Sequence, residues 1–159
     1  MGLVHIYCGD GKGKTSAAVG LAVRAAGCGK RVVIARFLKT DNSGEVEILK
    51  KIPEVTLIPC RKTFGFVRSM DEETKRECAA YHRELFGEAV KHADLVVFDE
   101  IMAAVNYGMV PERDVLEFLE NRPGRDQTDG LEIVLTGRDP SEKLIAAADY
   151  VSEICKRKH

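Results

Sequence analysis

An excess of charge of one sign is missing from this chain. Its 24 Lys and Arg residues are met by 25 Asp and Glu, for a formal net charge of −1, so composition gives no electrostatic argument for a nucleic-acid or membrane partner. No apolar run approaches the length of a bilayer span, and no signal-peptide pattern opens the chain. Cysteine is present but unpaired in pattern. Cys8, Cys28, Cys60, Cys78 and Cys155 are odd in number and widely spaced, with no Cys-x-x-Cys. That spacing argues against a disulfide framework or a zinc site and for reduced thiols in a cytoplasmic protein. Internal repeats, low-complexity runs and proline-rich linkers are absent too, so no domain boundary is drawn. The 159 residues, 45% hydrophobic and 31% charged, are expected to make one soluble domain, 1–159, with a proper core.

What is there begins near the amino terminus. Leu3, Val4, Ile6 and Tyr7 form a short β-prone run, and Cys8-Gly9-Asp10-Gly11-Lys12-Gly13-Lys14-Thr15 follows it. Ser16 to Val23 then reads as helix. Strand, glycine-rich loop ending Gly-Lys-Thr, and helix is the layout of a phosphate-binding P-loop. Glycine lets backbone N–H groups converge on phosphate oxygens, and the helix N-terminus adds a favourable dipole. Lys14 would neutralise polyphosphate charge, and the Thr15 hydroxyl would sit on Mg²⁺. The strict pattern wants glycine at position 8, where this chain has Cys8, either a small apolar filler or a reactive thiol. The Gly13-Lys14-Thr15 end is intact.

Further along, Gly27-Cys28-Gly29-Lys30 stops the first helix, and Arg31 to Leu38 is a nearly continuous apolar strand, as expected of one buried on both faces. The loop from Lys39 to Glu45 leaves its C-terminal end, the edge where open α/β sheets bind ligands. Lys39 either reaches a phosphate there or is solvated. Glu45 to Lys51 reads as a short helix and Val55 to Ile58 as a strand. Arg61 to Met70 then places Phe64, Gly65 and Phe66 among three cations in a loop. Those aromatics either offer a flat apolar face to a ligand or pack beneath the loop. A long helix runs from Asp71 to about His92, acidic in its first turn. His5, His82 and His92 have no ligand partner in sequence and read as surface or packing residues.

Asp94-Leu95-Val96-Val97-Phe98-Asp99-Glu100 is a Walker-B-like strand whose acidic tip would face the P-loop and hold Mg²⁺, directly or through water. Helix capping by Asp99 is the plainer alternative. Helices over Ile101–Tyr107 and from Pro111 to about Asn121 lead to a polar turn over Arg122–Gly130. The strand Leu131–Thr136 leaves Arg138 on the nucleotide edge, able either to clamp phosphate or to form a surface ion pair. A helix over Ser141–Ala148, a strand over Tyr150–Cys155 and a basic tail complete the chain. The expected fold is α/β, a P-loop NTPase-like (RecA-like) domain whose mostly parallel, doubly wound sheet has helices on both faces. On residues alone three reactions stay open: nucleotide hydrolysis, phosphoryl transfer to a small acceptor, or attack on another atom of ATP.

Gly9 to Ala18 resembles the opening signature of the P-loop ATP:corrinoid (cob(I)alamin) adenosyltransferases. Phe37-Leu38-Lys39 with Ser43-Gly44-Glu45 is similar to that family's second block, and Val97 to Ile101 with Ala104, Tyr107 and Gly108 to its acidic-strand block. Arg122-Pro123, Ile133 to Arg138, Ala148-Asp149 and Val151-Ser152-Glu153 resemble its C-terminal third. The resemblance implies transfer of the 5′-deoxyadenosyl group of ATP to Co(I) of a reduced corrinoid, with triphosphate leaving. It places Gly9, Asp10, Gly11, Lys12, Gly13, Lys14, Thr15 and Ser16 at the nucleotide, with Lys39, Glu45 and Arg138. Lys14, Arg138 and Phe66 take catalytic roles, and Thr15 with Asp99 or Glu100 holds Mg²⁺ or Mn²⁺. Phe66 matches an aromatic of the family's corrin-side loop, whereas Arg68 stands where members often carry Trp. The resemblance also implies ATP bound in reverse of most P-loop proteins, a homodimer, and an electron-donating flavoprotein as partner. The family's usual N-terminal extension and C-terminal tail have no counterpart here, so the site is expected to be more open or to be closed by a second subunit.

Overall fold

The computed structural model describes residues 2–89, 93–125 and 127–158. Its framework is a parallel sheet of six strands: β1 (Val4–Cys8), β2 (Val32–Arg36), β3 (Val55–Leu57), β4 (Leu95–Asp99), β5 (Glu132–Thr136) and β6 (Tyr150–Glu153). They lie in the order β3-β2-β4-β5-β1-β6, and all five pairings are parallel. The sheet is therefore uniformly rather than mostly parallel. Among the described residues, six α-helices connect the strands: α1 (Lys14–Gly27), α2 (Glu45–Leu49), α3 (Glu72–Ala89), α4 (Ile101–Asn106), α5 (Glu112–Glu120) and α6 (Glu142–Ala147).

The two-residue period of a strand divides the apolar runs between two cores. Val32, Ile34, Leu95, Val97 and Val134 face one way and pack with Ala18, Ala22 and Ala26 of α1 and Leu49 of α2. Their neighbours Val33, Ala35, Val96, Phe98, Ile133 and Leu135 face the other way, toward Cys78, Leu85 and Ala89 of α3 and residues of α4 to α6. Both faces are covered, which is why these strands read as unbroken hydrophobic runs. The alanine row of α1 recurs every fourth residue and carries little bulk, so the helix lies close on the sheet and fixes where its N-terminus points.

Several segments differ from expectation for physical reasons. β2 stops at Arg36, two residues early, because Leu38 adopts a left-handed backbone with φ 53°. β6 stops at Glu153, and the residues after it turn onto the phosphate loop instead of trailing as a tail. The Ile154 carbonyl accepts from Gly11 N (2.7 Å), Ile154 N donates to the Cys8 carbonyl (2.9 Å), and Lys156 N donates to Asp10 Oδ1 (3.0 Å). A Cβ on Gly11 would come within 2.6 Å of the Ile154 oxygen, so that close strap requires glycine at position 11. Asp99 does not cap α4; the capping position is Glu100, with no side-chain cap bond. The expected end of the long helix at His92 lies outside the described residues.

Arg122, read as part of a polar turn, is instead 8% exposed. Its guanidinium donates to the carbonyls of Gly2 (2.9 Å) and Leu119 (2.6 Å) and lies 3.6 Å from Asp149. Asp149 in turn accepts from Val4 N at 2.7 Å, so one side chain ties the start of β1 to α5 and to the approach to β6. Arg122→Leu leaves two buried carbonyls without a donor. It is expected to destabilise by about 2–3 kcal/mol, read as a lower midpoint in urea at unchanged slope.

Candidate active site

The site is assembled at the C-terminal edge of the sheet, where β1, β4 and β5 end beside one another. β5 separates β1 from β4, so the first turn of α1 must reach across it to meet the end of β4. Gly13, at φ 117° in the capping position of α1, makes the turn that allows this. Lys14 is only 7% exposed, and its Nζ donates to the Gly9 and Gly11 carbonyls, both at 2.8 Å. Folded back this way, the ammonium lies within the loop that its charge is suited to serve.

Asp99 is 2% exposed, and a carboxylate so deep must be compensated. Thr15 Oγ1 donates to its Oδ1 at 2.9 Å, and Thr136 Oγ1 donates to the same oxygen at 2.7 Å. Lys39 Nζ donates to its Oδ2 at 2.5 Å and to Thr15 Oγ1 at 2.9 Å. A cation thus already sits between the P-loop hydroxyl and the acidic strand tip. The Thr15 and Asp99 oxygens arranged around that positive charge are hard donors of the kind Mg²⁺ takes.

Two strained residues flank this cluster. Leu38 (φ 53°) precedes Lys39, and Glu100 (φ 61°) follows Asp99. Left-handed backbone on residues other than glycine, Asn or Asp costs about 1–3 kcal/mol and persists only where the surroundings enforce it. At Glu100 the enforcement is a backbone N–H donated to Thr136 Oγ1 (2.9 Å). At Leu38 it is His82. Leu38 N donates to His82 Nε2 at 3.0 Å, while His82 Nδ1 donates to the Cys78 carbonyl at 2.8 Å. The two bonds define the neutral Nδ1–H tautomer. Burial pushes the imidazole pKa below its ordinary value, partly offset by the Cys78 carbonyl. His82 is thus a packing residue with a structural duty.

Next to the cluster opens a cavity of about 540 Å³ lined by Leu38, Lys39, Phe66, Arg68, Glu100 and Tyr107 among others. The choice left open for the two phenylalanines divides between them. Phe64 packs against the core with its ring tilted toward those of Tyr81 and His82 (5.6 and 6.2 Å between ring centres), whereas Phe66 is 86% exposed at the cavity mouth. Arg68 is exposed on the same rim, in a single 3-10 turn at Val67–Ser69. Three of the four carboxylates read as nucleotide or metal residues are in different settings, and the fourth, Asp10, is bound to Lys156 N at the phosphate loop. Asp99 meets Thr15, Glu100 faces the cavity, and Glu45 accepts from Ser43 Oγ (2.8 Å) at the start of α2.

Of the remaining residues, Ser16 is exposed on the first turn of α1, and Lys12 lines a separate hollow with Cys155, Lys156 and Arg157. Asp10 is held below the usual carboxylate range, first by the Lys156 backbone N–H and to a lesser extent by the nearby positive charges of Lys156 and Arg138. Arg138 is exposed after the end of β5, on the P-loop edge. Cys8 is buried under the loop, and burial followed by the Glu153 charge raises its thiol pKa, which favours the filler over the reactive thiol. Thr136 is a functional candidate that the sequence motifs do not single out, although a hydroxyl ending a strand before Gly137-Arg138 is its signal. His82 offered no comparable signal, because its partners are backbone atoms.

The model of a known family, ATP:corrinoid adenosyltransferase BtuR/CobO/CobP, matches residues 1–159. Among curated proteins, the corrinoid adenosyltransferase of Escherichia coli (strain K12) is 34% identical over 164 residues, covering 99% of this chain and 79% of that protein. The corrinoid adenosyltransferase CobA of Salmonella typhimurium (strain LT2) is also 34% identical, over 162 residues, with the same coverage. A corrinoid adenosyltransferase of Pseudomonas aeruginosa is 29% identical over 161 residues, covering 99% of this chain and 77% of that protein.

Because His82 must stay neutral to accept from Leu38, its contribution to stability is fully present above the ordinary histidine value and is lost as pH falls below it. The groups around the ring are Cys78, Tyr81, Phe37 and Phe64. Melting temperature from pH 7.5 to 5 should therefore fall more steeply in the parent protein than in His82→Phe. Parallel profiles would show that the tautomer carries no such load.

Proposed function

We infer from its membership of the ATP:corrinoid adenosyltransferase family, to which the chain belongs, that it transfers the 5′-deoxyadenosyl group of ATP to the cobalt of a reduced corrinoid in cobalamin biosynthesis or salvage. The observation that carries this reading is a shared wall. Lys39 contacts Thr15 of the P-loop and also lines the cavity that holds the exposed Phe66. A nucleotide gripped by its phosphates would therefore lie next to an aromatic-lined space, and binding in the reverse sense of most P-loop proteins would turn its sugar end into that space.

In the reaction, Co(I) donates an electron pair to C5′. A Co–C bond forms, the C5′–O bond breaks, and its electrons leave with triphosphate. The chain's own work is to hold the two reactants in line, keep water from C5′ and stabilise the departing negative charge. Lys14 and the backbone N–H groups of the Gly9–Thr15 loop are assigned to the polyphosphate, with Ser16, Lys12 and Arg138 at its edge. Asp10, already bonded to Lys156, is assigned to shaping the loop, and Glu45 to fixing the loop after Lys39. Mg²⁺ is assigned to Thr15 and Asp99, supported by the Lys39 cation bonded to both, and Glu100 to the cavity side. When bound, the ion supplies charge neutralisation on the phosphate oxygens. Phe66 is assigned to the corrin face, where an apolar edge favours loss of the lower axial ligand, and Arg68 to the corrin rim.

The reading extends to the surroundings of the protein. Cobalt must be reduced before it can attack, and an electron-donating flavoprotein is the proposed donor. A homodimer is the proposed assembly. The five free cysteines, two of them exposed, support a reducing cytoplasmic compartment, and no helix among the described residues is long and apolar enough to cross a membrane.

ATP, Mg²⁺ and chemically reduced cobalamin incubated with the protein should give a light-sensitive alkylcobalamin spectrum and triphosphate. ADP without a spectral change would instead favour a kinase or ATPase. Tight corrinoid binding with ATP recovered intact would mark a carrier. Lys14→Ala should lower turnover by about 100-fold or more; undiminished turnover in that variant would contradict the assignment of the P-loop.

A further inference from the structure

The Lys39 ammonium lies where the proposed divalent ion would lie. It is 2.9 Å from Thr15 Oγ1 and 2.5 Å from Asp99 Oδ2, the two side chains that hold Mg²⁺ in P-loop sites. Two cations cannot share one buried carboxylate oxygen and one hydroxyl, since their repulsion in a poorly solvated space far exceeds any gain. We propose that Lys39 is a built-in counter-ion that closes the Thr15–Asp99 pair to free divalent cations, and that the ion arriving with ATP expels it into the neighbouring cavity. This rests on the nucleotide-binding part of the function above and is independent of the corrinoid.

Three features favour an exchange over a fixed ion pair. Asp99 is buried and already takes two hydroxyl hydrogen bonds, so it needs one positive charge and no more. Lys39 is its only cationic partner among the described residues, and the lysine's side chain remains 26% accessible. Free Mg²⁺ gives up its water reluctantly and would have to displace an ammonium for only two protein oxygens. Mg²⁺ carried on ATP brings phosphate oxygens with it, so the exchange becomes favourable only with nucleotide. The cavity offers the expelled lysine a new partner, because Glu100 is the one carboxylate among its described lining residues. Moving from Asp99 to Glu100 would carry a positive charge from the phosphate side to the corrin side as ATP binds.

The left-handed backbone at Leu38 gives this arrangement its reach. Pinned by His82, it aims Lys39 at the P-loop rather than along the line of β2. A lysine continuing the strand would have no reason to meet Thr15. The strain at Leu38 thus serves the contact of Lys39 with Thr15 and Asp99.

Mn²⁺ binding to the nucleotide-free protein, followed by the loss of the free-ion electron paramagnetic resonance signal, tests the proposal without corrinoid or turnover. Lys39→Met and the milder Lys39→Gln should each bind Mn²⁺ about tenfold or more tighter than the parent. The gap should narrow when ATP is added, and Asp99→Asn should abolish the gain. Equal Mn²⁺ affinity in the parent and in a folded Lys39 variant would overturn the exchange. Acetylation of Lys39 in the parent protein, read by mass spectrometry, needs no variant. Its rate should rise several-fold with ATP and Mg²⁺ over ATP and EDTA; an unchanged or lower rate would overturn the proposal.

Discussion

A carboxylate with almost no access to water sets the terms for the rest of this molecule. Asp99 ends a fully buried strand, and an ionised side chain there is tolerable only if donors converge on it from every open direction. Thr15 comes from the start of α1, Thr136 from the end of β5, and Lys39 from the turn after β2. Each of these elements is separately anchored. The alanine row fixes α1, the strand ladders fix β5, and His82 fixes the turn. Removing any anchor would leave a buried charge short of a partner, so the geometry of the phosphate site and the stability of the sheet edge are one problem.

The same requirement explains where strain is kept. Leu38 and Glu100 are the left-handed residues on either side of the cluster, and each is held by one hydrogen bond to a buried side chain. His82 does more than hold Leu38. Its ring lies against Phe37 and Phe64, so the aromatic loop and the phosphate side lean on one imidazole. Phe66, two residues from Phe64, projects from that support into the solvent at the cavity mouth. A large exposed aromatic gains nothing by itself, and its place beside an open cavity is what gives it a purpose. Alkyl transfer from ATP to a tetrapyrrole cobalt needs both halves, a grip on phosphate and a flat apolar seat, within one side chain's length.

Local pattern carried most of the fold into view. The apolar runs of β1, β2, β4 and β5 announced a sheet buried on both faces, and Gly13-Lys14-Thr15 followed by a helix announced the phosphate loop. What stayed hidden depends on contacts distant in sequence. Arg122 sits in a stretch that composition marks as a turn, yet it is buried because two polar groups from far along the chain, the Gly2 carbonyl and the Asp149 carboxylate, converge on it. Phe64 and Phe66 are equivalent by hydropathy, and only the direction of the loop sends one inward and the other out. Lys39 could be read as solvated or as a phosphate ligand. Its place on Asp99 follows from a backbone angle at Leu38 that leucine rarely adopts and that nothing in the local sequence signals. The strap of Ile154 and Lys156 across the P-loop was likewise beyond a reading that ended the last strand at Cys155.

Under the proposed function, a grip of Lys14, Thr15 and Asp99 on the phosphates and their metal would leave the ribose, and not the terminal phosphate, facing the cavity of Phe66 and Tyr107. A crystal structure of the protein with ATP and Mg²⁺ measures this directly. C5′ is expected to be exposed to that cavity, with the triphosphate wrapped in the Gly9–Thr15 loop. A nucleotide whose γ-phosphate faces the cavity and whose C5′ is enclosed by protein would contradict the account.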